Sequence, residues 1–208
     1  MPRLRTRAQI IVFDSQPQTF HQPQASAIQL SKGTMEFGSR KGIVIRTRLL
    51  ATAFLINGDR LLLMRRSPNM RLLPGRWAPI GGHLEADEIN DPQAACMREI
   101  CEETGLADSH LVDLSLRYVV HRRRDNEIRT QYMYFGFTSK ESVGRTEEGE
   151  LCWVQLDRAL DLDVSATTRF TLEHYTRLGS QTDCVYVGTV DVHDGKPVIS
   201  WAVLRDWE

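Results

Sequence analysis

From Ile43 onward the chain alternates short apolar runs with turn-forming residues. β-branched and apolar residues run from Ile43 to Ile56, Asn57-Gly58-Asp59 interrupts them, and Arg60 to Met64 resumes. Asn-Gly between two apolar runs predicts a β-hairpin. A loop rich in Pro, Gly and Arg, Ser67 to Arg76, leads to a strand over Trp77 to Ile80 and then to Gly81-Gly82. The helix that follows has legible ends: Asp91 can cap it, Pro92 suits its first position, and Gly105 can close it in the left-handed conformation. Further strands are predicted at Leu111 to His121, Thr130 to Thr138 and Leu151 to Leu156, and a second helix starts after Ser165 and stops at Gly179. The chain closes on another hairpin, Cys184 to Val192 and Pro197 to Leu204, turning at His193-Asp194-Gly195-Lys196. Strands dominate with two helices between them, so the fold class is α/β (α+β), a sandwich with a mixed sheet.

The first forty or so residues differ: Gln, Ser and Pro are frequent and apolar periodicity is weak. Residues 1–40 are therefore read as an accessory segment and 41–208 as the domain. Ala8 to Phe13 suits a strand added to a sheet edge or to a second copy of the chain, a homodimer, and suits an unpaired tail equally. A length of 208 residues favours one domain with an appendage over two complete domains. The formal net charge of -1 gives no electrostatic argument for nucleic-acid binding, whereas small anionic ligands stay open. Cys96, Cys101, Cys152 and Cys184 form no CxxC pair and no zinc spacing, which points to a reduced setting. No apolar stretch near the N-terminus is long enough for a signal-peptide core or a membrane span, so a soluble, cytoplasmic protein is expected.

At about 100° per residue, Glu99, Glu102 and Glu103 fall within roughly a quarter-turn of the first helix, with Arg98 beside Glu102. Ala94, Met97, Ile100, Cys101 and Thr104 fall opposite and form the expected buried stripe. A helical Glu cluster is ordinarily a solvated face. Here the like charges repel, and Glu102 and Glu103 sit in the last turn, where the helix dipole disfavours anions by ~0.3–1 kcal/mol each. Hard Mg²⁺ or Mn²⁺ reverses that balance, so the face is read as a divalent-metal site. Gly81-Gly82, just ahead of the helix, lets the backbone turn tightly and approach a substrate closely. Arg65, Arg66, Arg71 and Arg76 surround this region, with guanidinium geometry suited to phosphate.

Together these elements resemble the box of the Nudix hydrolase family, G-x5-E-x7-R-E-U-x-E-E-x-G-U, where U is a bulky aliphatic residue. Arg98-Glu99-Ile100-Cys101-Glu102-Glu103-Thr104-Gly105-Leu106 matches throughout, and five residues separate Gly82 from Glu88. Between Glu88 and Arg98 this chain has nine residues where the family has seven. The extra two are expected to lengthen the loop before Asp91-Pro92. The approach Arg76-Trp77-Ala78-Pro79-Ile80-Gly81-Gly82 and the run Glu150-Leu151-Cys152-Trp153-Val154 also look like the family's domain. The resemblance implies a Nudix-type α/β/α sandwich, with Glu99, Glu102 and Glu103 binding the cations and Arg98 orienting them. Glu99 is the choice for the group that accepts the proton of the attacking water. An additional metal ligand is expected from the acidic loop, at Glu147 or Glu148, with Glu148 preferred. Arg76, Gly81 and Gly82 are the expected substrate contacts.

The implied reaction is metal-dependent hydrolysis of a phosphoanhydride bond in a nucleoside diphosphate linked to X. Family members acting on ADP-ribose commonly carry a proline some fifteen residues past the box, and this chain has none between Pro92 and Pro197. No tyrosine stands at the spacing associated with dinucleoside polyphosphates. By elimination a nucleoside triphosphate, ordinary or oxidised, comes first and a nucleotide sugar next. Tyr118, Tyr132 and Tyr134 are either base-stacking groups or core. The alternative class is a Nudix-fold regulator that binds a nucleotide without hydrolysing it. The intact carboxylates and the lack of a helix-turn-helix pattern argue against that class.

Overall fold

The structure, a computed structural model, describes residues 44–70, 73–143 and 146–206. The accessory segment, with the strand expected at Ala8 to Phe13, lies outside the described residues, as does Arg71. Nine strands form one sheet. They are β1 (Arg46–Asn57), β2 (Arg60–Arg66), β3 (Trp77–Ala78), β4 (Ile80–His83), β5 (Val112–Arg124), β6 (Glu127–Phe137), β7 (Gly149–Gln155), β8 (Val185–His193) and β9 (Lys196–Leu204). The two α-helices among the described residues are α1 (Pro92–Thr104) and α2 (Ala166–Arg177).

The sheet runs β3-β2-β1-β6-β5-β8-β9, with β4 on β1 and β7 on β2. β1 with β6 and β5 with β8 are parallel, and the other pairs are antiparallel, so the sheet is mixed as expected. The Asn-Gly hairpin forms with Asn57 opposite Arg60 and Gly58 at φ 62°. The last hairpin turns on Asp194 and Gly195, both at positive φ, as its composition demands.

Alternation along β1 decides which helix lies where. Phe54 and Ile56 share a core with Leu172 and Tyr175 of α2, whereas Ala51, Ala53 and Leu55 share one with Ala95, Cys96 and Ile100 of α1. Successive side chains point to opposite faces, so the helices cover opposite faces of the sheet. Burying one large side chain such as Ile100 contributes about 1.5–3 kcal/mol. These contacts hold α1 in a fixed rotation.

Two expectations are corrected. The strand over Trp77 to Ile80 is split at Pro79, because proline cannot donate to the ladder: β3 pairs with β2 and β4 with β1. The buried stripe of α1 is Ala95, Cys96, Ile100, Glu103 and Thr104, while Ala94 and Cys101 are exposed. The helix is rotated toward its acidic side, since Glu99 and Glu103 fall on the helical wheel between Ala95 and Thr104 and are carried inward with them.

Candidate active site

Asp91 accepts from the Ala94 N–H at 3.1 Å, Pro92 begins α1, and Gly105 at φ 73° donates its N–H to the Cys101 carbonyl. The helix therefore starts at Pro92, within the longer spacing, and the register of Arg98, Glu99, Glu102 and Glu103 is preserved. Between Glu88 and Asp91 the chain folds a turn, with the Asp91 N–H on the Glu88 carbonyl at 2.8 Å, and Ile89 and Asn90 project into solvent.

Arg98 gathers the carboxylates. Its Nε and Nη2 donate to the two oxygens of Glu88 at 2.8 and 3.0 Å, and its Nη1 donates to Glu99 at 2.9 Å and Glu102 at 3.2 Å. Nη2 also reaches the His83 carbonyl at 3.1 Å, which ties the helix to the end of β4. The bidentate fork is the geometry for which guanidinium is suited. It holds the Glu88 carboxyl down at about 2, aided by the Glu85 N–H, which donates to Glu88 at 2.8 Å.

Glu99 and Glu103 are treated differently. Burial is the main cause pushing the Glu103 carboxyl up to about 8, with Glu99 and Glu148 adding like charge, although the Gly81 N–H donates to it at 3.0 Å. Burial likewise raises Glu99, against the pull of Arg98, with Glu102 and Glu148 contributing. Glu148 is held at the rim by Arg66 at 3.3 Å. Two desolvated carboxyls with a third nearby crowd like charge into one place. Glu99, Glu102, Glu103 and Glu148 all offer the hard oxygens that Mg²⁺ and Mn²⁺ prefer, so this set fits a divalent cation. Among the described residues no three of them converge into a ready-made coordinating group; Glu102 instead turns to Arg98.

The glycines are required by packing. A Cβ on Gly82 would collide with the Glu99 carboxylate. Gly81 sits at φ 135°, where a Cβ would strike the Ala51 backbone. Both therefore let β4 lie directly under the acidic face.

Other residues singled out in the sequence have separate places. Arg76 donates to Asp163 at 2.7 and 3.0 Å and to the Val164 carbonyl at 2.7 Å, anchoring the approach to α2. Tyr118 is fully buried, with its hydroxyl 3.0 Å from His174 Nδ1 and its ring against Tyr186 and Trp201. Tyr134 is buried and Tyr132 half-buried in the α1-side core, so all three tyrosines are packing groups. His83 was given no part by the sequence reading, yet it joins Arg98 through its carbonyl and Arg48 through its ring at 3.1 Å. Its only sequence signal is its place directly after Gly81-Gly82.

A strand, a glycine turn and a helix that buries glutamates against it define a hydrolase of the Nudix class. The NUDIX domain pattern matches residues 46–175, most of the chain, and the chain belongs to the Nudix family. The m7GpppN-mRNA hydrolase NUDT17 of Danio rerio is 39% identical over 83 residues, which cover 39% of this chain but only 24% of that protein. The nucleoside triphosphatase NudI of Klebsiella pneumoniae (strain 342) is 28% identical over 137 residues, covering 62% of this chain and 96% of that one. The fold is shared with the MutT protein of Bacillus halodurans, at 20% identity and a TM-score of 0.55 over 75% of this chain and 97% of that one. It is shared also with the MutT protein of Methanosarcina mazei Go1, at 24% identity and a TM-score of 0.56 over 66% and 98%. Among the described residues no helix is long and apolar enough to cross a membrane.

Proposed function

We propose that the protein hydrolyses a phosphoanhydride bond in a nucleoside diphosphate linked to X, with a nucleoside triphosphate as first substrate and a nucleotide sugar as second. The burial of Glu103 and Glu99 against Gly81 and Gly82, beside Glu148, carries this reading. The name of the Klebsiella relative, a nucleoside triphosphatase matched over nearly its whole length, supports the choice of substrate.

Glu99, Glu102, Glu103 and Glu148 would hold Mg²⁺ or Mn²⁺. A divalent cation bound there supplies charge neutralisation for the pyrophosphate and lowers the pKa of water. Glu99, half-buried and oriented by Arg98, accepts the proton of the attacking water. Arg98 gathers Glu88, Glu99 and Glu102 about one guanidinium and fixes their orientation. Gly81 and Gly82 admit the substrate's phosphates close to the backbone. Arg76 positions the approach loop by way of Asp163. The unpaired state of the four cysteines suits a cytoplasmic enzyme. Residues 41–208 form the catalytic domain in this reading, so deletion of 1–40 leaves measurable hydrolysis.

The test is a phosphate-release screen over nucleoside triphosphates, dinucleotides and nucleotide sugars with Mg²⁺ and with Mn²⁺. Release from at least one class is expected. Silence across all of them with a folded protein overturns the proposal.

A further inference from the structure

On the α2 face of the sheet, one row of side chains beyond the core, cross-strand register places three arginines side by side. Arg48 of β1 is opposite Arg129 of β6, and Arg129 is opposite Arg122 of β5. The next row adds Arg46 and Arg124 on either side of Glu127. Like charges directly opposite one another in a sheet are destabilising. One carboxylate serves the row: Glu127 takes Arg48 Nε at 3.0 Å and Arg129 Nη2 at 2.9 Å. Arg122, half-buried, has no hydrogen bond or ion pair among the described residues, and burial with Arg129 beside it pulls its pKa down. The Nε of Arg129 is buried without an acceptor. The row is short of negative charge and of hydrogen-bond acceptors together.

His83, the last residue of β4, links the row to the active site, which lies under α1 on the other face of the sheet. His83 lies opposite Leu50 on β1, its ring meets Arg48, and its carbonyl meets Arg98. A single residue thus separates the arginine row from the arginine that gathers the catalytic carboxylates.

We propose that Arg48, Arg122 and Arg129 form a second phosphate subsite, receiving a phosphate group that the substrate carries away from the anhydride bond being cleaved. This rests on the hydrolase reading above. Phosphate is the fitting group because its oxygens accept from several guanidinium forks at once and its multiple charge matches an excess of cations. A carboxylate would neutralise one arginine and leave the others opposed.

Binding needs no turnover, so the subsite is testable apart from the activity. The probes are the 3′,5′-bisphosphates of adenosine, guanosine, cytidine and uridine against their 5′-monophosphates, titrated calorimetrically into the full chain. At least one bisphosphate is expected to bind about tenfold more tightly than its monophosphate, the scale of a charge-assisted contact. That advantage should vanish in Arg122→Gln, which breaks no ion pair, and in Arg129→Gln, while monophosphate affinity holds. Equal affinity for every pair, or an advantage that survives both substitutions, overturns the subsite. So does a single-stranded RNA that outbinds every bisphosphate and depends on Arg122, since the row then serves a polymer. If the arginine-dependent advantage appears and no anhydride is hydrolysed, the subsite stands and the hydrolase reading falls.

Discussion

The helices α1 and α2 have similar lengths, similar side-chain caps and opposite faces of one sheet to cover, yet they bury polar groups on different terms. In α2 each buried polar group has a neutral partner at hand. Thr171 donates to the Met133 sulfur at 3.1 Å, His174 meets the Tyr118 hydroxyl at 3.0 Å, and Thr168 meets Ser165 at 2.9 Å. In α1 Thr104 has the Ile100 carbonyl at 2.6 Å, but buried Glu103 has one backbone N–H and the like charges of Glu99 and Glu148 nearby. One helix completes a core. The other buries a carboxyl in an environment that disfavours its charged form, as a site prepared for a cation would. Substitutions in the two helices should therefore fail differently.

The largest effect is expected in the core. Leu172→Ala in α2 should cost ~2–5 kcal/mol in chemical denaturation, because a buried leucine leaves a cavity. Turnover by the folded fraction should be unchanged; a loss of kcat at full folding would erase the contrast between the helices.

In α1 the order reverses. Glu102→Gln and Glu103→Gln should lower kcat by at least ~10²-fold, the scale of lost metal or charge stabilisation, with stability retained. Full turnover in both variants, or in excess EDTA, is the result that contradicts the metal site.

Stability against pH sharpens the same point. The folded pKa of Glu103 is raised from 4.5 to about 8, so between those values the folded state holds a proton that the unfolded state has released. Metal-free protein should lose thermal stability as pH rises through that window. Adding Mg²⁺ or Mn²⁺ at the alkaline end should restore it. Glu103→Gln should show a flatter profile and little response to cation, which a thermal melt series reads directly.

The smallest effect is local. Asp91→Ala should cost ~0.5–2 kcal/mol through loss of the N-cap, leaving the identity of the preferred substrate untouched. A change near zero would remove the cap as the anchor of helix register.

Both hairpins, both helices with their caps and the arrangement of Arg98 with its glutamates were legible in the residues, because glycines, caps and periodicity act locally. What failed depended on neighbours. Pro79 split a strand because β2 and β1 take its two halves, a choice made by sheet partners far along the chain. The rotation of α1 differs because the buried stripe is expected opposite the acidic face, whereas Gly81 and Gly82 make room for glutamates inside. Tyr118 could be assigned to the core only once Tyr186 and Trp201, from the last hairpin, stood beside it. The arginine row needed three strands in register to exist at all.

Glu88 and Arg98 stay clasped across the nine residues between them, and Ile89 and Asn90 hang in water. Sequence distance and site geometry are thereby uncoupled at this point. That makes the Ile89-Asn90 segment a natural port for engineering: a fluorophore, an affinity tag or a small inserted domain placed there would ride on the rim of the site without entering it.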